Sequence, residues 1–324
     1  MLKQHRALWS RLKSVTAFTV RQRIGEQDIA SIASLANEIS QFDHHQALDD
    51  HTWLDLVHGG RKGILGFTAH SSRDNQLIGY AQVSEGNETW ALEVIVHPFF
   101  RRNEDGVTKG LIDKAIGAIA SKGGGHVHAW LARGGDEIAD AFKSAGFKKG
   151  RSIVQMRRKL PLDPWLRGTQ LSVRNFEVDT DIEPWLEVNN LAFARHPEQG
   201  GWTRNTLEAR MKEAWFDPNG FLLHFEGDQL AAFCWTKIHE SNPKLGEIYV
   251  IGVHPDFGSK GLGKAIAIEA LEYLNQKHIP VAMLYVDLEN ERALSLYRSL
   301  GFSPDHIDVA YTCDIKATDT SVII

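Results

Sequence analysis

Cysteine is scarce in this sequence, with only Cys234 and Cys313 among 324 residues. Two thiols form neither a disulfide framework nor a structural zinc site by themselves, and this usage is typical of the reducing cell interior. No run approaches the ~20 apolar residues that cross a bilayer. The N-terminus is basic but lacks the apolar core of a secretory signal. We therefore expect a cytoplasmic protein without a membrane partner.

The sequence also lacks an excess of positive charge, since 41 Asp and Glu residues face 36 Lys and Arg residues and the net charge is −5. This balance argues against a nucleic-acid partner. Asp and His residues cluster between positions 43 and 51, but their irregular spacing favours a polar or substrate-contacting loop over a metal site. We therefore expect no metal and no nucleic acid. We also expect a monomer, although no residue pattern in the sequence determines the oligomeric state.

What the sequence does contain is an internal repeat. Three segments recur in the same order at offsets of 153 to 157 residues: Leu77–Ala81 with Leu230–Cys234, Val94–Pro98 with Ile251–Pro255, and Phe142–Phe147 with Tyr297–Phe302. Such self-similarity indicates two copies of one fold. Two prolines and a glycine between residues 160 and 168 break regular structure. We therefore predict domains at 1–160 and 170–324, joined by a linker at 161–169.

Each half shows the same order of patterns, a helix, three apolar strands, an amphipathic helix, a strand, a short helix and a last strand. In the second half the predicted elements are residues 181–193, 220–225, 230–237, 247–253, 261–276, 281–286, 291–300 and 308–315. Helices and strands that alternate in this way predict a mixed α/β fold, with an α+β mixed sheet in each of two tandem domains.

A glycine-rich turn, Gly258–Lys264, follows a strand and opens a helix in the second half. Small residues at a helix N-terminus let backbone N–H groups approach a phosphate. A P-loop requires Ser or Thr where Ala265 stands, and the dinucleotide fingerprint requires a third glycine where Ile266 stands. A diphosphate cradle and a plain structural turn both stay open from these residues alone.

Two motifs resemble the GNAT acyltransferase superfamily. Gly258-Ser-Lys-Gly-Leu-Gly263 is similar to its Q/R-x-x-G-x-G/A signature, and Asn290 opens a segment that ends in Tyr297-Arg-Ser-Leu-Gly-Phe302. The resemblance implies two tandem GNAT-like acyltransferase domains with acetyl-CoA as co-substrate. Gly258 replaces the usual Gln or Arg and Lys260 replaces the usual Arg, which implies weaker or differently shaped contact with the cofactor.

A closer resemblance is to the mycothiol synthase family of tandem GNAT enzymes. The matching segments are Val94–Pro98, Gln155–Arg158, Phe193–Gly200, Trp235–His239, Gly246–Pro255 and Met283–Val286. The resemblance implies a small-molecule amine acceptor, the cysteinyl amine of a cysteine–glucosamine–inositol conjugate. A tandem N-acetyltransferase with another amine acceptor and a non-catalytic acyl-CoA-binding protein remain as alternatives.

The resemblance also assigns site residues by position. Those assigned to acetyl-CoA are Ile251, Gly252, Val253, Gly258, Ser259, Lys260, Gly261, Leu262, Gly263, Lys264, Asn290, Glu291, Arg292, Ala293, Leu294 and Ser295. Those assigned to the acceptor are Asp50, Glu198, Lys237, Glu247 and Tyr285.

Acyl transfer to an amine requires a proton acceptor, a donor to the oxyanion and a proton donor to the leaving thiolate. We assign these roles to Glu247, the N–H of Val253 and Tyr297. The repeat places Trp90 opposite Glu247 and Phe142 opposite Tyr297. The equivalent turn at residues 101–108 has one glycine and two acids. We therefore predict that the first half is catalytically silent.

Overall fold

The computed structural model describes residues 17–23, 25–43, 45–58, 64–85, 89–102, 106–132, 136–166, 171–194, 196, 199–239 and 244–318. Contacts divide the chain into two compact units. The first unit comprises residues 1–152 and 308–324, and the second comprises residues 153–307. None of the described helices is long and apolar enough to cross a membrane.

The first repeat contributes six strands and four helices among its described residues. In chain order they are β1 (Phe18–Gln22), α1 (Ile29–Asp43), α2 (Asp50–His58), β2 (Leu65–Ser71), β3 (Leu77–Glu85), β4 (Thr89–Val96), α3 (Val107–Ser121), β5 (Gly124–Leu131), α4 (Asp136–Ser144) and β6 (Lys148–Lys159). Strands β1 to β5 are neighbours in sequence order, and only the β4–β5 pair is parallel.

The second repeat has the same kind of elements. They are β7 (Arg174–Asn175), α5 (Val178–Ala192), α6 (Arg204–Met211), β8 (Phe221–Glu226), β9 (Gln229–Ile238), β10 (Leu245–Val253), α7 (Leu262–Gln276), β11 (Val281–Asp287), α8 (Glu291–Ser299) and β12 (Ser303–Lys316). In the second unit the strand order is β6-β11-β10-β9-β8-β7, and only β10 and β11 run parallel. The predicted mixed α/β class is confirmed.

The last strand of each repeat pairs outside its own repeat. Residues 153–159 of β6 pair antiparallel with β11, and residues 309–316 of β12 pair antiparallel with β5. The limits of the contact-based units at 152/153 and 307/308 therefore fall inside β6 and β12. The domain limits at 160 and 170 describe the sequence repeat and stay a prediction.

The sheet of the second unit carries an apolar layer on each face. On one face, Ile266, Leu271 and Leu274 of α7 are fully buried against Ile248 and its neighbours. On the other face, an aromatic cluster surrounds Trp185 of α5 and includes Phe221, Phe233 and Trp235. Burial of each such side chain stabilises the fold by roughly 1.5–3 kcal/mol, so both faces of the sheet are fixed.

Candidate active site

The two parallel strands of the second unit pair over only part of their length. Leu245–Glu247 of β10 pairs with Val281–Met283 of β11, although β10 continues to residue 253 and β11 to residue 287. The N–H of His254 donates to the carbonyl of Ala231 on the β9 side, at 2.9 Å. Because successive N–H groups of a strand alternate in direction, those of Val253 and Ile251 face the β11 side, beyond the end of the ladder. We call this opening between β10 and β11 the wedge.

The glycine-rich turn lies at the end of β10 and leads into α7. Ser259 and Gly261 have φ of 64° and 79°, and the carbonyl of Gly261 accepts from the N–H groups of Lys264 and Ala265. The N–H groups of residues 259–263 make no backbone–backbone hydrogen bond in this fully described segment. Left-handed residues beside a helix N-terminus form a concave set of N–H donors that suits an anion. This geometry can accept a phosphate group.

Glu247 lies on β10 on the face that carries the aromatic cluster. Its side chain is buried, and Lys237 on β9 is its register partner, so the two side chains share this face. The Nε2 atom of His239 lies 2.9 Å from Oε2 of Glu247. The ammonium of Lys237 lies 4.9 Å from the ring centre of Trp215 and 5.6 Å from that of Tyr249. The carboxylate therefore lies beside His239 and on the same face as Lys237.

Tyr285 lies on the same face as Glu247. The register partner of Glu247 on β11 is Met283, and Tyr285 follows two residues later, so the strand alternation returns it to that face. The residue is 42% exposed, and its hydroxyl accepts a 2.7 Å hydrogen bond from Gln155 of β6. The structure therefore brings three of the residues assigned to the acceptor, Lys237, Glu247 and Tyr285, onto one face.

Tyr297 lies on α8 in the apolar layer of the opposite face. Its ring packs edge-on against Phe302 at 5.9 Å between centroids, and the side chain is buried. Burial, with a smaller contribution from the nearby Cys234, raises the pKa of its phenol above the ordinary value of 10.0, so the group is protonated at neutral pH. Cys234 is the register partner of Ile251 on β10. Tyr297 and Glu247 thus lie on opposite sides of β10.

The start of α8 offers polar atoms at its N-terminus. Asn290 caps the helix, because its Oδ1 accepts from the N–H of Ala293 at 3.1 Å. Glu291, Arg292 and Ser295 are exposed, whereas Leu294 is 2% exposed and belongs to the apolar layer. A ligand would therefore contact this segment through its exposed turn and not through the Leu294 side chain.

The other two residues assigned to the acceptor do not belong to the described part of the second unit. Asp50 belongs to the first unit, where it begins α2 and its Oδ1 accepts from Gln46 at 3.0 Å. Glu198 lies outside the described residues. Among the residues that the structure describes, no three His, Cys, Asp or Glu side chains gather as a metal site would require.

The first unit repeats the geometry of the wedge but not its side chains. Its parallel ladder also ends early, joining only Thr89–Ala91 to residues 126–128. Trp90 and Phe142 are buried apolar residues at the positions that correspond to Glu247 and Tyr297. Nε of Arg101 donates to the carbonyl of Val96 at 2.8 Å, at the position that corresponds to Gly258. Residues 103–105 of its turn lie outside the described residues.

Sequence reasoning missed the side chains that support the predicted site. His239 contacts Glu247, and Gln155 of β6 contacts both Tyr285 and Arg157. The signal was the alternation in β6, where the polar Gln155 and Arg157 flank the buried Met156. That pattern shows a polar face, but it does not show that β6 pairs with β11.

Comparison with known proteins agrees with this geometry. The Acetyltransferase (GNAT) family profile matches residues 185–302. A mycothiol acetyltransferase from Acidimicrobium ferrooxidans is 36% identical over 90% of this chain and 96% of its own length. One from Thermobispora bispora is 35% identical over 90% of this chain and 97% of its own length. The chain belongs to the mycothiol acetyltransferase family. It is an acetyltransferase, as the sequence motifs predicted.

Solved structures show the fold of this mycothiol acetyltransferase family member. A GCN5-related N-acetyltransferase from Sphaerobacter thermophilus has a TM-score of 0.68 at 21% identity, covering 94% of this chain and 98% of its own. A tandem GNAT protein from the clavulanic acid biosynthesis pathway also has a TM-score of 0.68, at 15% identity, and covers 94% and 100%. The predicted tandem GNAT architecture is therefore confirmed.

Proposed function

We propose that this enzyme transfers the acetyl group of acetyl-CoA to the cysteinyl amine of a cysteine–glucosamine–inositol conjugate, the last step of mycothiol biosynthesis. The observation that carries the proposal is the wedge in the second unit, which is bordered by Glu247 on one face and by Tyr297 on the other. The acceptor is taken from the family to which the chain belongs.

The cofactor would lie between the turn and the wedge. The N–H donors of residues 259–263, together with Lys260 and Lys264, suit the diphosphate of acetyl-CoA. The amides of its extended arm would pair with the backbone of Ile251 and Val253 at the strand edge and would pass Gly252 between them. The exposed start of α8, Asn290 to Ser295, would contact the same arm from the other side. The thioester then lies in the wedge beside β10.

The reaction needs proton transfer at both ends of the thioester. Glu247 removes a proton from the acceptor ammonium, directly or through a water, and the free amine attacks the thioester carbonyl. The N–H of Val253 stabilises the oxyanion. When the C–S bond breaks, the neutral phenol of Tyr297 protonates the leaving thiolate. The attacking nitrogen loses its second proton as the amide forms, and uptake of a proton by Tyr297 restores the phenol. The Glu247 carboxylate and the Tyr297 phenol approach β10 from opposite faces of the sheet. A thioester bound in the plane of the sheet would therefore be within reach of both groups.

The acceptor would lie on the face shared by Lys237, Glu247 and Tyr285. Cationic, anionic and hydroxyl groups on one face suit a sugar–cyclitol, whose many hydroxyl groups both donate and accept hydrogen bonds. We propose that Glu198 adds an acidic contact, as the family resemblance implies, and that the first unit performs no chemistry. Trp90 and Phe142 support that silence, because neither side chain can act as an acid or a base at neutral pH.

Release of the CoA thiol from acetyl-CoA tests the proposal. We expect release only when the cysteinyl glucosamine–inositol conjugate is present, and we expect one acetyl group on its cysteinyl nitrogen by mass spectrometry. Release with other amines but not with this conjugate would favour a different acceptor. No release with any amine, despite bound acetyl-CoA, would favour a non-catalytic acyl-CoA-binding protein.

A further inference from the structure

A chain of polar contacts leads from the start of β12 to Tyr285 within the second unit. An Nη2 atom of Arg157 lies 3.5 Å from Oδ2 of Asp305. Nε of Arg157 donates to Oε1 of Gln155 at 2.7 Å, and Nε2 of Gln155 donates to the hydroxyl of Tyr285 at 2.7 Å. Gln155 is only 4% exposed, so its amide groups depend on these protein partners.

This chain fixes the direction of each hydrogen bond. A guanidinium has donors only, so the amide atom of Gln155 that faces Arg157 is the oxygen. The amide nitrogen therefore faces Tyr285 and donates to it. A hydroxyl oxygen that accepts from this side directs its own O–H elsewhere. The Tyr285 hydroxyl therefore donates in a direction away from Gln155. The residue is 42% exposed and lies on the face that carries Glu247.

We propose that Gln155 is a positioning residue that fixes Tyr285 as a hydrogen-bond donor to an oxygen of the acceptor. The site therefore selects acceptors that present a hydroxyl or ether oxygen to Tyr285. This inference rests on the proposed function for the identity of the acceptor. Gln155 makes no contact with the reacting atoms in this account, and it acts only through the Tyr285 hydroxyl.

Substitution of Gln155 by Glu reverses the direction of the hydrogen bond to Tyr285 while the side chain keeps nearly the same shape. The carboxylate still accepts from Arg157, but it offers no donor to Tyr285 and draws the phenolic proton towards itself. We expect Q155E to raise the KM for the conjugate about tenfold, the effect of one lost hydrogen bond. The kcat and the KM for acetyl-CoA should change less than about twofold, since no group at the thioester has changed.

The decisive control is the same substitution in a Tyr285→Phe background. If Gln155 acts through the hydroxyl, Y285F alone raises the KM for the conjugate, and Q155E adds no further increase to it. An equal fold-change in both backgrounds, or no effect of Q155E in the wild type, would overturn the proposal. If Q155E fails to fold, Arg157→Leu can replace it, because this variant removes the donor that fixes the orientation of the Gln155 amide. Arg157→Leu should then raise the KM for the conjugate in the wild type but not in the Y285F background.

A second measurement keeps the inference separate from the proposed function. The six tyrosines of the chain ionise with a change in ultraviolet absorbance. In Q155E a carboxylate replaces the donor beside the Tyr285 oxygen, so one tyrosine should ionise at higher pH than in the wild type. The shift should vanish when Y285F and Y285F/Q155E are compared. This result stands even if the wild type fails to acetylate the conjugate, and an unchanged titration would refute the inference.

Discussion

At the scale of single residues, the site combines a carboxylate among basic groups with a phenol that burial keeps protonated. Glu247 lies 2.9 Å from His239, and Tyr297 is enclosed by the apolar layer of α7 and α8. The buried phenol suits the task of an acid, which must hold its proton. The roles proposed for Glu247 and Tyr297 can be tested separately by kinetics.

We expect Glu247→Gln and Tyr297→Phe each to lower kcat by about 10²- to 10⁴-fold, the usual effect of removing an acid or base. Dissociation constants for acetyl-CoA, measured by calorimetry, should stay within about threefold of the wild-type value. Tyr273→Phe is the matched control, since the Tyr273 hydroxyl donates to Asp217 at 2.6 Å and borders no proposed ligand. Wild-type turnover in both site variants would exclude the mechanism.

The buried carboxyl of Glu93 should make the stability of the first unit depend on pH. Burial, and then the charge of Asp49, raise the pKa of its carboxyl well above 4.5. Its Oε1 accepts from the N–H of Asp49, just before α2, at 2.9 Å. Between the unfolded and the folded pKa, the folded state binds one proton more than the unfolded state. The contribution of Glu93 to the free energy of unfolding is therefore fully present below pH ~4.5 and decreases as the pH rises towards the folded pKa. The decrease is at most about 1.4 kcal/mol per pH unit.

Glu93→Gln keeps the acceptor oxygen but removes the ionisation. Urea unfolding between pH 4 and 8 should therefore show a Gln variant whose stability relative to the wild type increases with pH. Its difference from the wild type should be smallest at the acid end of the series. A difference that stays constant across this range would show that the Glu93 carboxyl titrates as in the unfolded chain.

At the scale of elements, the turn between β10 and α7 depends on one backbone conformation. Gly261 has φ of 79°, where a side chain strains the backbone, although a Cβ would meet no atom within 4 Å. Gly263 lies inside the first turn of α7, and a Cβ there would make only ordinary contacts with Val253 at 3.6 Å and Leu296 at 3.9 Å. Alanine should therefore strain the backbone at position 261 but fit without strain at position 263.

We expect Gly261→Ala to raise the dissociation constant for acetyl-CoA by roughly tenfold, since αL strain of about 1–2 kcal/mol in the cradle opposes the bound arrangement. Gly263→Ala is the matched control and should bind acetyl-CoA nearly as the wild type does. Isothermal titration with acetyl-CoA measures both variants. Equal affinities in the two variants would show that the turn does not cradle the diphosphate.

The elements themselves were largely accessible from the sequence. Periodicity placed α7 at 261–276 against 262–276 observed, and the strand at 247–253 against 245–253. The wedge was not accessible, because it depends on where the β10–β11 ladder ends, and residue patterns do not encode pairing length. The support of Tyr285 by Gln155 was hidden for the same reason, since it depends on β6 pairing with β11.

At the scale of the whole molecule, the two repeats do not coincide with the two compact units. Register pairs from Val309 to Lys316 attach β12 to β5, and buried Val309 and Tyr311 complete the apolar cluster of the first unit. Strand β12, which comes last in the sequence, thus pairs with a sheet formed by β1 to β5 of the first repeat. Without it, β5 would present an unpaired edge and its cluster would be open to water.

Deletion of residues 308–324 should therefore destabilise the first unit more than the second. We expect hydrogen exchange to show loss of amide protection in β5 and α3, with α7 and the paired part of β10 retaining theirs, because the latter pack within residues 153–307. A shorter deletion that removes only residues after 318 is the control and should leave β5 protected. Equal loss of protection in both units would show that the two units unfold cooperatively. If the β5 amides stayed protected, β12 would not be needed to stabilise this sheet.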